Sequence, residues 1–268
     1  MNIYQLRYIW NGVKTVPFLP LLYFQGKKIK RTIPDLPDAT DNIGSIELSH
    51  QETRSVLFLG ESTIAGVGAP SHKGGFVGFM ASGLAELWQT NIDYDVIATS
   101  GWRAKELADE VAKYKINKKY DLIVIGLGGN DTFQFTSPEN WLKEIKRLIA
   151  NIKSQDQSAP IVFCNLPPTS DFLAFTPLLR KVMGNMTELL RVSLSEKLDE
   201  MDNVFFNQEK VSLSSWTGRY QLDPDPSIYF SDGVHPSVLT YRIWAEELVG
   251  FISKIEINGF NSNSIAHE

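Results

Sequence analysis

Cysteine is nearly absent from this chain: Cys164 stands alone among 268 residues. A lone thiol excludes an intramolecular disulfide and a cysteine-based metal site. It is compatible with a reducing compartment, so a cytoplasmic location is expected. Long apolar runs are missing as well. A membrane span needs ~20 apolar residues in succession, and the best stretch, Val16–Phe24, is shorter and holds Pro17 and Pro20. It also lacks a small-residue cleavage site, so no secretory signal is expected. Positive charge is not in excess: Lys and Arg total 26 against 31 Asp and Glu, for a net charge of -5. A general nucleic-acid binder, which must neutralise phosphates, is disfavoured.

What remains is an ordinary globular composition, 43% hydrophobic and 21% charged, in a length that suits one large α/β domain with or without an appendage. The charge is uneven. Residues 1–34 hold Arg7, Lys14, Lys27, Lys28, Lys30 and Arg31 and no acid, leaving 20 bases against 31 acids in the rest. Residues 1–51 therefore read as an N-terminal arm and linker, 52–257 as the main domain, and 258–268 as a polar tail. The arm has two readings. Residues 1–33 lie on an anionic membrane surface, giving a membrane-associated protein, or they pack on the main domain. The second is favoured, because Pro17 and Pro20 should break an amphipathic helix.

Beyond Ser55 short apolar runs recur: Ser55–Gly60, Tyr94–Thr99, Asp121–Leu127, Pro160–Asn165 and, more weakly, Asn203–Asn207. Helical spacing separates them. Trp141, Ile145, Leu148 and Ile152 follow Ser137-Pro138, an N-cap and first-turn proline. Further helices are expected around Leu179–Leu190 and Tyr241–Ile252, with less regular ones at Phe76–Trp88 and Lys105–Tyr114. Strands alternating with helices imply a parallel sheet covered on both faces, with ligands at the carboxyl ends of the strands.

Chemistry-bearing residues sit at those ends. The first strand runs into Gly60-Glu61-Ser62, where the serine is either a helix N-cap or a hydroxyl facing a cleft. The second ends in Ser100-Gly101-Trp102, a turn glycine or an unobstructed N–H. The third ends in Gly128-Gly129-Asn130, an Asx-turn or an amide donor of the kind an oxyanion hole needs. A late loop carries Asp232-Gly233-Val234-His235. Of the four histidines His50, His72, His235 and His267, only His235 has a partner acid in a loop that precedes a helix.

The segments GESTIAGVG, TSGWRA, GGND and DGVHP, in that order, resemble the four sequence blocks of the SGNH hydrolases, also called GDSL esterases/lipases. The resemblance spans Val56 to Ile252. It implies a flavodoxin-like three-layer α/β sandwich with a central parallel sheet of about five strands. It implies Ser62 as nucleophile, His235 as base and Asp232 as orienting acid. Ser62, Gly101 and Asn130 match the oxyanion donors. No metal or organic cofactor is implied. The GDSL quartet reads Gly-Glu-Ser-Thr here, which leaves the role of Glu61 open. The expected function is hydrolysis of short- to medium-chain carboxylic esters, small-molecule substrates, through an acyl-enzyme. The alternatives are a lysophospholipase or thioesterase at a membrane surface, an acyltransferase, and a non-catalytic binding module. Trp102 is expected to bind substrate. Phe133, Phe135, Phe172, Phe175 and Trp216 are expected near the same rim, and Cys164 as a buried hydrophobe. Nothing in the sequence sets the oligomeric state.

Overall fold

A computed structural model describes residues 3–48, 52–116 and 118–255. His50, His267 and the segment 258–268 lie outside the described residues. In chain order the elements are α1 (Ile3–Thr15), α2 (Leu19–Thr32), β1 (Ile43–Ile46), β2 (Thr53–Gly60), α3 (Phe76–Trp88), β3 (Asn91–Ala98), α4 (Ala104–Lys113) and β4 (Leu122–Gly126). They continue as α5 (Gly129–Phe133), α6 (Pro138–Gln155), β5 (Ile161–Phe163), α7 (Pro177–Leu198), β6 (Val204–Phe206), α8 (Leu213–Tyr220) and α9 (Val238–Ile252).

The strands form one open six-stranded sheet in the order β1-β3-β2-β4-β5-β6. All neighbouring pairs are parallel except β1 with β3. Five of these strands coincide with the expected apolar runs. The sixth, β1, lies in the segment read as linker and pairs Ile43 with Asp95 at the sheet edge.

Central strands are covered on both faces, which is why they read as unbroken apolar runs rather than alternating ones. Successive residues nonetheless divide between two cores. Val56, Phe58, Val124 and Val162 pack with α3 and α9, through residues such as Phe76 and Trp244. Leu57, Leu59, Ile125 and Phe163 pack with α4, α6 and the C-terminal half of α7. The result is a three-layer α/β sandwich with helices on both sides of a mostly parallel sheet. Ser137 caps α6 as expected: its hydroxyl accepts from the Asn140 N–H at 3.3 Å, and Pro138 occupies the first turn.

The arm departs from the sequence reading. Its prolines do not break it into coil; they restart it. Pro17 opens a 3₁₀ turn at Val16–Phe18 and Pro20 sits in the first turn of α2, positions where a missing N–H costs nothing. Helix α1 lies against α6 and α7. Tyr4 is buried there and donates to Glu196, while the Tyr8 hydroxyl donates to the Phe135 carbonyl at 2.9 Å. In α2, Leu22 is buried and Gln25 accepts from the Thr176 hydroxyl at 2.7 Å. Among the described residues, no helix is long and apolar enough to cross a membrane.

Candidate active site

Three strand ends and one late loop meet at one edge of the sheet. Strand β2 passes into a tight turn that carries Ser62. The Glu61 N–H donates to the Gly126 carbonyl of β4 at 3.0 Å, and the Val67 N–H donates to the Ser62 carbonyl at 3.1 Å. The Tyr241 hydroxyl of α9 donates to the Val67 carbonyl at 2.8 Å, so a helix from the end of the chain braces the serine turn.

Glu61 is the knot of the site. It is buried, and its carboxylate accepts from the Gly129 N–H at 2.7 Å, the Asn130 N–H at 2.9 Å and the Asn130 side-chain amide at 2.5 Å. This resolves what the acid before Ser62 does: it ties the end of β2 to the loop after β4. Burial pushes its carboxyl up to about 7, against the pull of the Asn130 and Gly129 donors and with a further push from the nearby Asp131. Asp131 makes the complementary tie. It accepts from the Ala104 N–H at 2.9 Å and joins the loop after β4 to the start of α4. Burial raises it to about 6, opposed chiefly by that N–H.

Two of these loops need glycine. Gly128 has φ +123° and Gly101 has φ +90°, conformations that side chains with a Cβ rarely adopt. Neither the Ser62 N–H nor the Gly101 N–H finds an acceptor among the described residues. The Asn130 amide does. Beyond Glu61 it donates to the Trp102 carbonyl at 3.1 Å, so both of its hydrogens are engaged.

Asp232 and His235 are held together in the loop before α9. One Asp232 carboxylate oxygen accepts from the Val234 and His235 N–H groups at 2.9 and 2.7 Å; the other lies 2.7 Å from His235 Nδ1. Burial of Asp232 opposes its charge, but the ring and backbone donors outweigh it and hold the carboxyl below the ordinary aspartate value. A carboxylate can only accept, so Nδ1 carries a proton, and in the neutral ring Nε2 is the acceptor. The loop is braced by the Ala174 N–H, which donates to the Gly233 carbonyl at 3.1 Å.

Ser62, Gly101, Asn130 and His235 all line one cavity of about 790 Å³. Among the described residues, no hydrogen bond joins the Ser62 hydroxyl to the His235 ring; the two share the cavity wall. Phe133, Phe135, Phe172 and Phe175 line it as expected, joined by Phe230. Two expectations need correction. The Trp102 ring packs beside the α4–α6 core and is not among the lining residues; only its carbonyl takes part, through Asn130. Trp216 is buried, donates to Glu247 at 2.7 Å and is not among the lining residues. The lining also includes residues that the sequence did not suggest. Leu19, Leu22, Tyr23, Ile29, Lys30 and Ile33 come from the arm, so α2 forms part of the cavity wall.

The model of the GDSL-like lipase/acylhydrolase family matches residues 58–243. The chain belongs to that family. Family membership makes it a carboxylic ester hydrolase. Solved structures of the same fold include the lipase Lip_vut3 from a goat rumen metagenome, 20% identical with a TM-score of 0.53, covering 74% of this chain and 96% of that one. A Clostridium thermocellum family 3 carbohydrate esterase is 16% identical with a TM-score of 0.53, over 75% of this chain and 99% of the other. The psychrotrophic esterase EstA from Pseudoalteromonas sp., whose structure is inhibited by monoethylphosphonate, is 14% identical with a TM-score of 0.53, over 75% and 97%. These likenesses establish the fold alone. No curated protein sequence matches the chain. The GDSL family match begins inside β2 and ends inside α9, so it encloses all four segments that carry Ser62, Gly101, Asn130 and His235 and leaves the arm outside.

Proposed function

We propose that this GDSL-family hydrolase cleaves carboxylic esters through an acyl-enzyme on Ser62. His235 Nε2 takes the serine proton as the hydroxyl attacks the ester carbonyl, and Asp232 supports the imidazolium that forms. The tetrahedral oxyanion is bound by the Ser62 and Gly101 N–H groups. The Asn130 amide joins as third donor by giving up its longer bond, to the Trp102 carbonyl, while Glu61 keeps it in place. The alcohol departs with the proton returned by His235. Water, activated by the same nitrogen, then releases the acid.

The observation that carries this reading is the shared wall. Ser62 and His235, 173 positions apart in the chain, face one largely apolar cavity beside two unclaimed backbone donors. The aromatic wall suits the acyl part of a short- to medium-chain ester. A second reading, a lipid ester with a longer chain, is favoured by the contribution of Leu19, Leu22 and Ile29 of α2, which extend the apolar wall.

A nitrophenyl ester series from acetate to palmitate, run beside Ser62→Ala, tests both. The expected result is turnover by the native protein and its loss in the variant, with an organophosphonate label mapping to Ser62 alone. Undiminished turnover by Ser62→Ala, or a label elsewhere, would remove Ser62 as nucleophile. The chain length with the highest kcat/KM decides between the two substrate readings.

A further inference from the structure

The arm presents two faces of opposite use. Its inner face packs on the body and lines the cavity. Its outer face is apolar and exposed. On α1, Ile3, Leu6, Trp10 and Val13 recur at three- and four-residue steps, on the side away from Tyr4 and Tyr8. Trp10 is 59% exposed. On α2, Leu21 and Phe24 continue the pattern, with Phe24 at 68% exposure, and the next turns of the same face carry Lys28 and Arg31. Large side chains of this kind, exposed together rather than singly, mark an interaction surface.

We infer that the outer face of α1 and α2 docks on an anionic lipid bilayer and delivers a membrane-borne ester to the cavity beneath it. Docking stands on the arm alone; delivery rests on the esterase reading given above. Charge selects the partner. The arm holds six basic residues and no acid up to position 34, while the rest of the chain is strongly acidic. Lys14, Lys27, Lys28 and Arg31 flank or follow the exposed apolar residues, as required for chains that enter the interface while cations meet lipid phosphates. A symmetric pairing of two copies through this face would set cations against cations.

The cavities agree with a lipid at this place. A second cavity of about 500 Å³ lies between α1 and α7 and shares Leu19 and Phe135 with the first. Its wall is mostly apolar, with Lys14 and Lys181 as its cations. A flexible acyl chain therefore has an apolar path beneath the arm, next to the groups proposed to attack its ester.

The test uses the full chain and vesicles of phosphatidylcholine with or without one-third phosphatidylglycerol. Trp10→Ser/Phe24→Ser removes two of the three most exposed rings of the arm, and Lys27→Gln/Lys28→Gln/Arg31→Gln removes outer-face charge. None of these residues lines either cavity. Expected is co-sedimentation of the native protein with the anionic vesicles, about tenfold or more above the neutral ones. Each variant should lose at least about tenfold of that partitioning. Both should hydrolyse monomeric nitrophenyl butyrate at the native rate and lose activity on an ester lipid held in the anionic vesicles. Equal partitioning of native protein and variants overturns the docking, as does sedimentation with neither vesicle. Self-association abolished by Trp10→Ser/Phe24→Ser, without vesicle binding, overturns it in favour of a second copy. A protein that partitions as expected but hydrolyses no soluble ester upholds the docking and sinks the esterase reading instead.

Discussion

At the scale of single residues, the site is organised around a carboxylate that does not face the substrate as an attacking group. Glu61 accepts three N–H donors, two of them from Asn130, and thereby fixes the amide that the mechanism needs. The proposed mechanism gives Asn130 a double role, and its removal should separate into two effects. Asn130→Ala should lower kcat on a soluble ester by about 10²–10³, the usual loss of one oxyanion donor. It should also cost about 1–3 kcal/mol of folding stability, because Glu61 loses its side-chain donor in a buried place. Steady-state kinetics and urea unfolding read the two separately. An unchanged kcat in a folded variant would mean that the amide serves only Glu61. A lower kcat with unchanged stability would mean that Glu61 finds another donor. The role of Glu61 itself was hidden in the sequence. Its position beside Ser62 is plain, but its partners lie 68 and 69 residues away and become neighbours only when β2 and β4 pair.

At the scale of elements, the helices that frame the site depend on local chemistry that can be altered without touching the cavity. Ser137 caps α6 through its hydroxyl, and neither residue of that bond lines the cavity. Ser137→Ala should cost about 0.5–2 kcal/mol in urea unfolding and leave ester turnover unchanged; a stability equal to the native protein's would show that water caps the helix as well. This cap was legible because serine, proline and the apolar spacing of Trp141, Ile145 and Leu148 all agree. The same agreement made β2 through β6 readable, since buried parallel strands announce themselves as short apolar runs. Element β1 was not readable. Ile-Gly-Ser-Ile is too short and too polar to signal a strand, and it forms because the exposed edge of β3 offers it a partner. The arm helices were misjudged for a related reason. Proline forbids helix only where an N–H is needed, and both prolines fall where none is. The four segments that carry the site were visible as motifs, and so were Phe133, Phe135, Phe172 and Phe175 of the cavity wall, whereas the part of the wall supplied by α2 was not. A lining contributed by α2 depends on where the arm folds back, which no local pattern encodes.

At the scale of the whole molecule, the same strand-end network should govern how stability varies with pH. Glu61 and Asp131 have ordinary values of 4.5 and 3.8 and are raised by burial to about 7 and about 6. Between those limits the native state holds protons that the unfolded chain has released. Their contribution is therefore complete below about pH 4 and is lost as pH rises through 6 and 7, the reverse of the usual carboxylate. The carboxyls held low act elsewhere. Asp232 and the ion-paired Asp109 are depressed below 3.8, so their stabilisation is lost only in stronger acid. His72 acts in the opposite sense. Burial lowers its value below 6.5, so the native state resists protonation there and stability rises with pH through that range. The decisive measurement is thus a difference between two proteins. Urea unfolding at intervals from pH 5 to 7 should show the native chain losing on the order of 1 kcal/mol per pH unit more than Glu61→Gln, since one group contributes at most about 1.4 kcal/mol per unit. The variant should be the less stable at pH 5, where its NH₂ faces either the Gly129 donor or the Asn130 donors and cannot accept from them, whereas the hydroxyl oxygen of the protonated carboxyl still can. The gap should narrow toward pH 7, where the native carboxyl must be buried with its charge. Two parallel profiles would mean that Glu61 ionises in the fold as it does in the open chain, and that the hydrogen bonds from the loop after β4 fully offset its burial.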